Sequence, residues 1–146
     1  MKPMKWVLLG LIVLVAFGMS VAGNEYISAA KCKMCHKVQF TSWEASGHAK
    51  AFDRLSGDEA SNPDCLKCHA TNASADLPGV QCESCHGAGS AYKKMSVMKD
   101  HDASVAAGLI VPTVDTCKGC HEGAPHDQKT VDYAAEIDGV HEHKAK

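Results

Sequence analysis

A mainly α-helical chain with long loops and little or no β structure is what this sequence predicts, on three observations. Apolar residues around Phe40, Trp43 and positions 47–51 recur every three to four residues, which is the helical period. Alternating apolar and polar runs, the mark of a half-buried strand, are nearly missing. The pattern C-x-x-C-H occurs four times in 146 residues, at starts separated by 33, 17 and 35 positions. That long-short-long spacing points to one compact unit rather than a string of independent modules.

The chain opens MKPMKWVLLGLIVLVAFGMSVAGNEY, with Lys2 and Lys5 ahead of an apolar run over 6–19 and a small-x-small site at Ser20-Val21-Ala22. This reads as a signal peptide over 1–22, leaving 23–146 as one domain exported to a periplasmic or extracellular space. The alternative, an uncleaved membrane anchor, is opposed by the short apolar run and the missing stop-transfer flank. Ser28 is placed to cap a short helix that enters the first C-x-x-C-H. A helix through Phe40 and Trp43 is expected to be interrupted near Gly47. Turns are expected at Ser56-Gly57, Asn62-Pro63, Leu77-Pro78-Gly79 and Gly87-Ala88-Gly89. One helix is predicted over 92–107 with Gly108 as its stop, and a short one over 132–137.

The four motifs are Cys32-Lys-Met-Cys35-His36, Cys65-Leu-Lys-Cys68-His69, Cys82-Glu-Ser-Cys85-His86 and Cys117-Lys-Gly-Cys120-His121, and they use all eight cysteines. Nothing remains for a structural disulfide. C-x-x-C-H is the attachment pattern of c-type haem: the thiols add to the haem vinyl groups and the histidine becomes an axial iron ligand. The competing reading is zinc, since four C-x-x-C pairs can make two all-thiolate sites. Zinc asks nothing of the position after the second cysteine. Histidine is 9 of 146 residues, so its chance placement there four times has a probability on the order of 10⁻⁵. A thioredoxin-like dithiol needs one such motif beside a βαβ pattern, and four copies argue against it. The expectation is four covalently attached c-type haems, with His36, His69, His86 and His121 as proximal iron ligands.

Five histidines lie outside the motifs: His48, His101, His126, His141 and His143. A low-spin electron-transfer haem takes a second axial ligand, so these are the distal candidates. His143 ranks last because it sits in a polar tail. Met95 and Met98 read as helix packing with Val97, and a Met ligand would raise the potential of its haem. Large apolar side chains are scarce beyond residue 22: Tyr26, Phe40, Trp43, Phe52, Tyr92 and Tyr133 are the aromatics. The cofactors are therefore expected to supply most of the core, giving a compact cofactor-organised fold.

Segments Tyr26-Ile-Ser-Ala-Ala-Lys-Cys-Lys-Met-Cys-His36, Phe40-x-x-Trp43, Gly-His-Ala-Lys-Ala-Phe52 and Gly79-Val-Gln-Cys-Glu-Ser-Cys-His-Gly-Ala-Gly-Ser90, with Cys65-Leu-Lys-Cys-His-Ala70, Asp132-Tyr133 and His141, resemble the tetrahaem cytochrome c-554 family. The resemblance implies a mainly helical protein with four haems in closely packed, stacked pairs, carrying electrons outside the cytoplasm. It implies His48 and His141 as distal ligands. The family's Gly-Ser-x-His after the third motif is departed from here, where Tyr92 stands in the histidine's place. His101 is the substitute, with tyrosine ligation or an open site behind it. The family's second-motif haem can be five-coordinate, and His126 is the residue available to fill that face.

Residues 23–146 carry 13 basic and 17 acidic side chains. An acidic chain disfavours nucleic acid and is steered towards basic redox proteins. The expected function is electron carriage rather than catalysis, between a donor and an acceptor of which one is a possible membrane-associated partner. Two rivals stand beside it. One is reduction of nitric oxide, nitrite or hydroxylamine at a five-coordinate haem, with Tyr92, His101 and Glu83 as available proton donors. The other is a homo-oligomer, filament or complex subunit.

Overall fold

The computed structural model of the chain describes residues 23–126 and 129–143. The expected signal peptide over 1–22 lies outside them. The described chain is mainly helical: α1 Ala29–Cys32, α2 Lys37–Glu44, α3 Pro63–His69, α4 Cys82–His86, α5 Met95–Met98, α6 His101–Ala106, α7 Val114–His121 and α8 Tyr133–Glu136. Short 3₁₀ turns fall at Phe52–Arg54, Gly57–Ser61, Thr71–Ala73 and Ile137–Gly139. Extended pairing among the described residues is confined to isolated bridges from Ala70 to Pro78 and Gly79. None of the described helices is long and apolar enough to cross a membrane.

Local chemistry sets the helix ends. The Asn62 side chain accepts from the Asp64 N–H at 2.9 Å and Pro63 opens α3, an N-cap followed by a preorganised first residue. Asn62-Pro63 therefore starts a helix where the dipeptide alone suggests a turn. Helix α2 stops at Glu44, ahead of Gly47 as expected. The helix expected over 92–107 is two: α5 and α6 part at Lys99 and Asp100, where the Asp100 carboxylate accepts from the Ala103 N–H at 3.0 Å and begins a new helix. Gly108, at φ +103, ends α6 in a conformation that favours glycine. Asp132 caps α8 through the Ala135 N–H at 3.2 Å.

Few apolar side chains are buried: Ala29, Phe40, Leu66, Ala70 and Tyr92. Polar residues share the interior with them, namely Thr71, Gln81, Glu83 and Ser104. Each is hydrogen-bonded, as burial of polar atoms demands. The Thr71 hydroxyl donates to the Gly79 carbonyl at 3.0 Å and accepts from the Gln81 N–H at 2.9 Å. The Gln81 amide accepts from the Ala29 N–H at 2.7 Å and donates to the Pro78 carbonyl at 3.0 Å. These bonds join the end of α3, the 78–81 loop and α1. The C-terminal segment returns to α2, where the Glu142 N–H donates to Ser42 Oγ at 2.7 Å.

Candidate functional site

The C-x-x-C-H motifs fall on helix ends. Those at Cys65, Cys82 and Cys117 lie wholly within α3, α4 and α7, and in each the histidine is the last helical residue. Positions i, i+3 and i+4 share a helix face, so two thiols and one imidazole are offered to the same side. The first motif breaks this form: α1 ends at Cys32, a turn follows, and His36 stands just before α2. Its N–H still donates to the Cys32 carbonyl at 2.9 Å, which preserves the turn. None of the eight cysteines is in a disulfide.

Three motif histidines face a histidine from elsewhere in the chain. Ring centres are 6.0 Å apart for His48 and His121, 5.7 Å for His69 and His126, and 6.2 Å for His86 and His141. Two imidazoles sharing one metal, each nitrogen about 2 Å from it, hold their ring centres about 6 Å apart. The outer ring nitrogens are anchored: His69 Nδ1 lies 2.7 Å from the Ala51 carbonyl, His86 Nδ1 3.2 Å from that of Ile110, and His141 Nδ1 3.1 Å from that of Glu142. Such an anchor fixes the tautomer and turns Nε2 to the metal. His143 is arranged otherwise, with Nε2 3.0 Å from the Ile137 carbonyl and its ring 4.5 Å from that of His141. His101 is exposed at the start of α6, its Nδ1 3.4 Å from Asp102. His36 faces no other imidazole among the described residues.

Burial lowers the proton affinity of His48 below the usual imidazole range, helped by the neighbouring His121. It does the same for His86, against a raising effect of the Ile110 carbonyl. Both rings are thus held neutral, the form that binds a metal. His48 is held by backbone. Its carbonyl accepts from the Val80 N–H at 2.9 Å, and the Trp43 indole N–H donates to the Val80 carbonyl at 2.7 Å.

The motifs also meet one another. The neighbouring Cys82 and burial push Cys32 far up, while Cys32 lowers Cys82 against the effect of burial. Burial and the neighbouring Cys68 push Cys120 up to about 12, and Cys120 Sγ donates to the Lys67 carbonyl at 3.9 Å. Burial raises Cys85, and Cys117 adds to it. The first motif thus lies beside the third, and the fourth beside the second. Tyr92 is buried, and its hydroxyl donates to the Gly87 carbonyl at 2.7 Å and the His86 carbonyl at 3.1 Å. Its phenol braces the turn after the third motif.

Haem fits these residues. Thiol pairs stand on the faces that carry the histidines, and three imidazole gaps have the width of an iron with two axial ligands. Zinc needs three or four ligands converging on one point, and no such cluster of His, Cys, Asp or Glu is present among the described residues. Sequence reasoning did not find Thr71 or Gln81 as supports. The signal for Gly79 was its place in Leu-Pro-Gly, a turn that wants φ above zero.

Residues 31–87 match the family described as cytochrome c554 and c-prime. Cytochrome c-554 of Nitrosomonas europaea is 27% identical over 150 residues, spanning 74% of this chain and 64% of its own length. This chain thus covers somewhat under two thirds of that relative. The structure of reduced cytochrome c554 from Nitrosomonas europaea superposes with a TM-score of 0.55 at 24% identity, covering 75% of this chain and 73% of the other.

Proposed function

We propose, from its similarity to the cytochrome c-554 family, that the chain is an exported tetrahaem c-type cytochrome carrying electrons between redox proteins in the periplasm or outside the cell. The observation that carries this reading is the set of three facing imidazole pairs, His48 with His121, His126 with His69 and His141 with His86. Haem supplies a one-electron ferric/ferrous couple when bound. Cys32, Cys35, Cys65, Cys68, Cys82, Cys85, Cys117 and Cys120 hold it, and His36, His69, His86 and His121 ligate on the proximal side.

The side chains then do three things. Paired imidazoles would hold the iron between them and keep small molecules off it, which suits a carrier. Carbonyl groups at Ala51 and Ile110 hold His69 and His86 by Nδ1, so ligand orientation does not change as the charge changes. The tie of the first motif to the third through Glu83, and of the fourth to the second through Cys120 Sγ and the Lys67 carbonyl, supports electron exchange within those two pairs. A pyridine haemochrome assay of the exported protein tests the reading; four haems per chain is the expected result, and colourless or zinc-loaded protein overturns it.

A second reading is favoured by three observations. His36 faces no imidazole among the described residues, His101 is exposed, and the Tyr92 hydroxyl is committed to two carbonyls. This supports a first-motif iron open on one side and able to reduce a small nitrogen oxide. Carbon monoxide added to the reduced protein separates the two: a spectral change in about one haem of four favours the reductase, and none favours the carrier.

A further inference from the structure

Glu83 lies inside the third motif and is 1% exposed. Its carboxylate crosses to the segment before the first motif. Oε1 accepts from the Ile27 N–H at 2.9 Å and from the Gly89 N–H at 2.7 Å. Oε2 accepts from the Ser28 N–H at 2.8 Å and from the Ile27 N–H at 3.0 Å. Every partner is a donor. A protonated acid would aim its own O–H at an N–H, so the ring of amides selects the anion.

The backbone is shaped for this contact. Ser28 adopts φ 69, a conformation that a β-carbon disfavours, and in it the N–H reaches the carboxylate. At Gly89 a β-carbon would stand 2.9 Å from Ile27 Cδ1 and 3.1 Å from Glu83 Oε1, so a side chain there would crowd both Ile27 and the carboxylate. The charge is felt by its surroundings: it adds to the upward shifts of Cys32 and Tyr92. Three sites separated in sequence thus converge on one buried anion between two haem attachment points.

We propose that Glu83 is a positioning residue whose permanent negative charge ties the first motif to the third and lowers the reduction potentials of the two haems attached there. The inference rests on the reading that these motifs carry haem. Reduction adds one electron to iron, and a fixed anion nearby favours the more positive ferric state. Low dielectric keeps that effect large.

The test uses the holoprotein and its Glu83→Gln variant, which keeps the shape and removes the charge. In a redox titration, two of the four couples are expected to move upward. Their ferric-to-ferrous ratio at fixed potential should change about tenfold, 59 mV for a one-electron couple. Glu83→Asp, which keeps the charge on a shorter arm, should restore the potentials while hydrogen exchange of the 24–31 segment quickens. Four haems with couples that superpose on wild type overturn the proposal. Should Glu83→Gln fail to load haem, isotope-edited infrared spectroscopy of wild-type protein labelled at glutamate carboxyls decides: wholly ionised glutamate supports it, and a protonated glutamate carbonyl band overturns it. Wild-type protein without haem would instead sink the reading beneath.

Discussion

An imidazole becomes an axial ligand when the fold brings Nε2 to the right place and gives Nδ1 something else to do. His48 and His143 separate the two cases. His48 stands 6.0 Å from His121, ring centre to ring centre, while His143 spends Nε2 on the Ile137 carbonyl. His48→Ala should therefore keep four haems and convert one of them to high spin, read by electron paramagnetic resonance and visible spectra. His143→Ala should leave the low-spin spectrum as in wild type. Acid exposes the same design. Burial holds His48 and His86 below the usual imidazole value, which is near 6.5 in an unfolded chain. The unfolded state then binds more protons, so stability rises with pH and falls as pH drops below about 6.5. Denaturant midpoints at pH 7.5 and 5.5 should show the loss at the lower pH. At this scale the motif histidines stand out in the sequence because C-x-x-C-H is a local pattern. Which other histidine faces which motif histidine is set by long-range packing, and a one-dimensional spacing does not carry it.

At the scale of elements, the site depends on where loops touch. The 78–81 loop presses against the turn bearing His48, and Gly79 allows the approach. It sits at φ +80, and a β-carbon there would meet the Ala49 carbonyl oxygen at 2.6 Å. Gly79→Ala must adopt a disfavoured backbone and push away the His48 segment, costing about 1–3 kcal/mol. A melting temperature lowered by several degrees, with a fraction of one haem turned high-spin, is the expected result; an unchanged melting curve would count against this account. Helices were only partly readable in advance. The break before Gly47 and the stop at Gly108 came from single residues with few conformational options. The helices over the second, third and fourth motifs were passed over, because five to eight residues are too few for a period to emerge. Asn62-Pro63 illustrates the ambiguity: the same dipeptide opens a turn or caps a helix, and the residues after it decide which. Asp100 divided an expected single helix by capping a second one, a choice that local propensity leaves open.

The whole molecule asks what holds these short pieces together. The longest described helices, α2 and α7, have eight residues each, and isolated helices shorter than about 12 are marginal in water. Packing must therefore stabilise them, yet only Ala29, Phe40, Leu66, Ala70 and Tyr92 are buried apolar residues among those described. Two of those five are alanines with little surface to remove from water. The buried polar network of Thr71, Gln81, Glu83 and Ser104 fixes geometry, but hydrogen bonds exchanged with water add little net stability. Four haems would supply the missing apolar surface, since each is a broad apolar body that covalent thioethers keep in place. Export of the chain to a compartment lacking the haem-attachment machinery tests this directly. The expected product shows no cooperative thermal transition by circular dichroism, while the haem-loaded protein melts in one. A sharp, reversible transition in haem-free chain would mean that the peptide alone holds a core, and the cofactors would then be passengers on the fold rather than its centre.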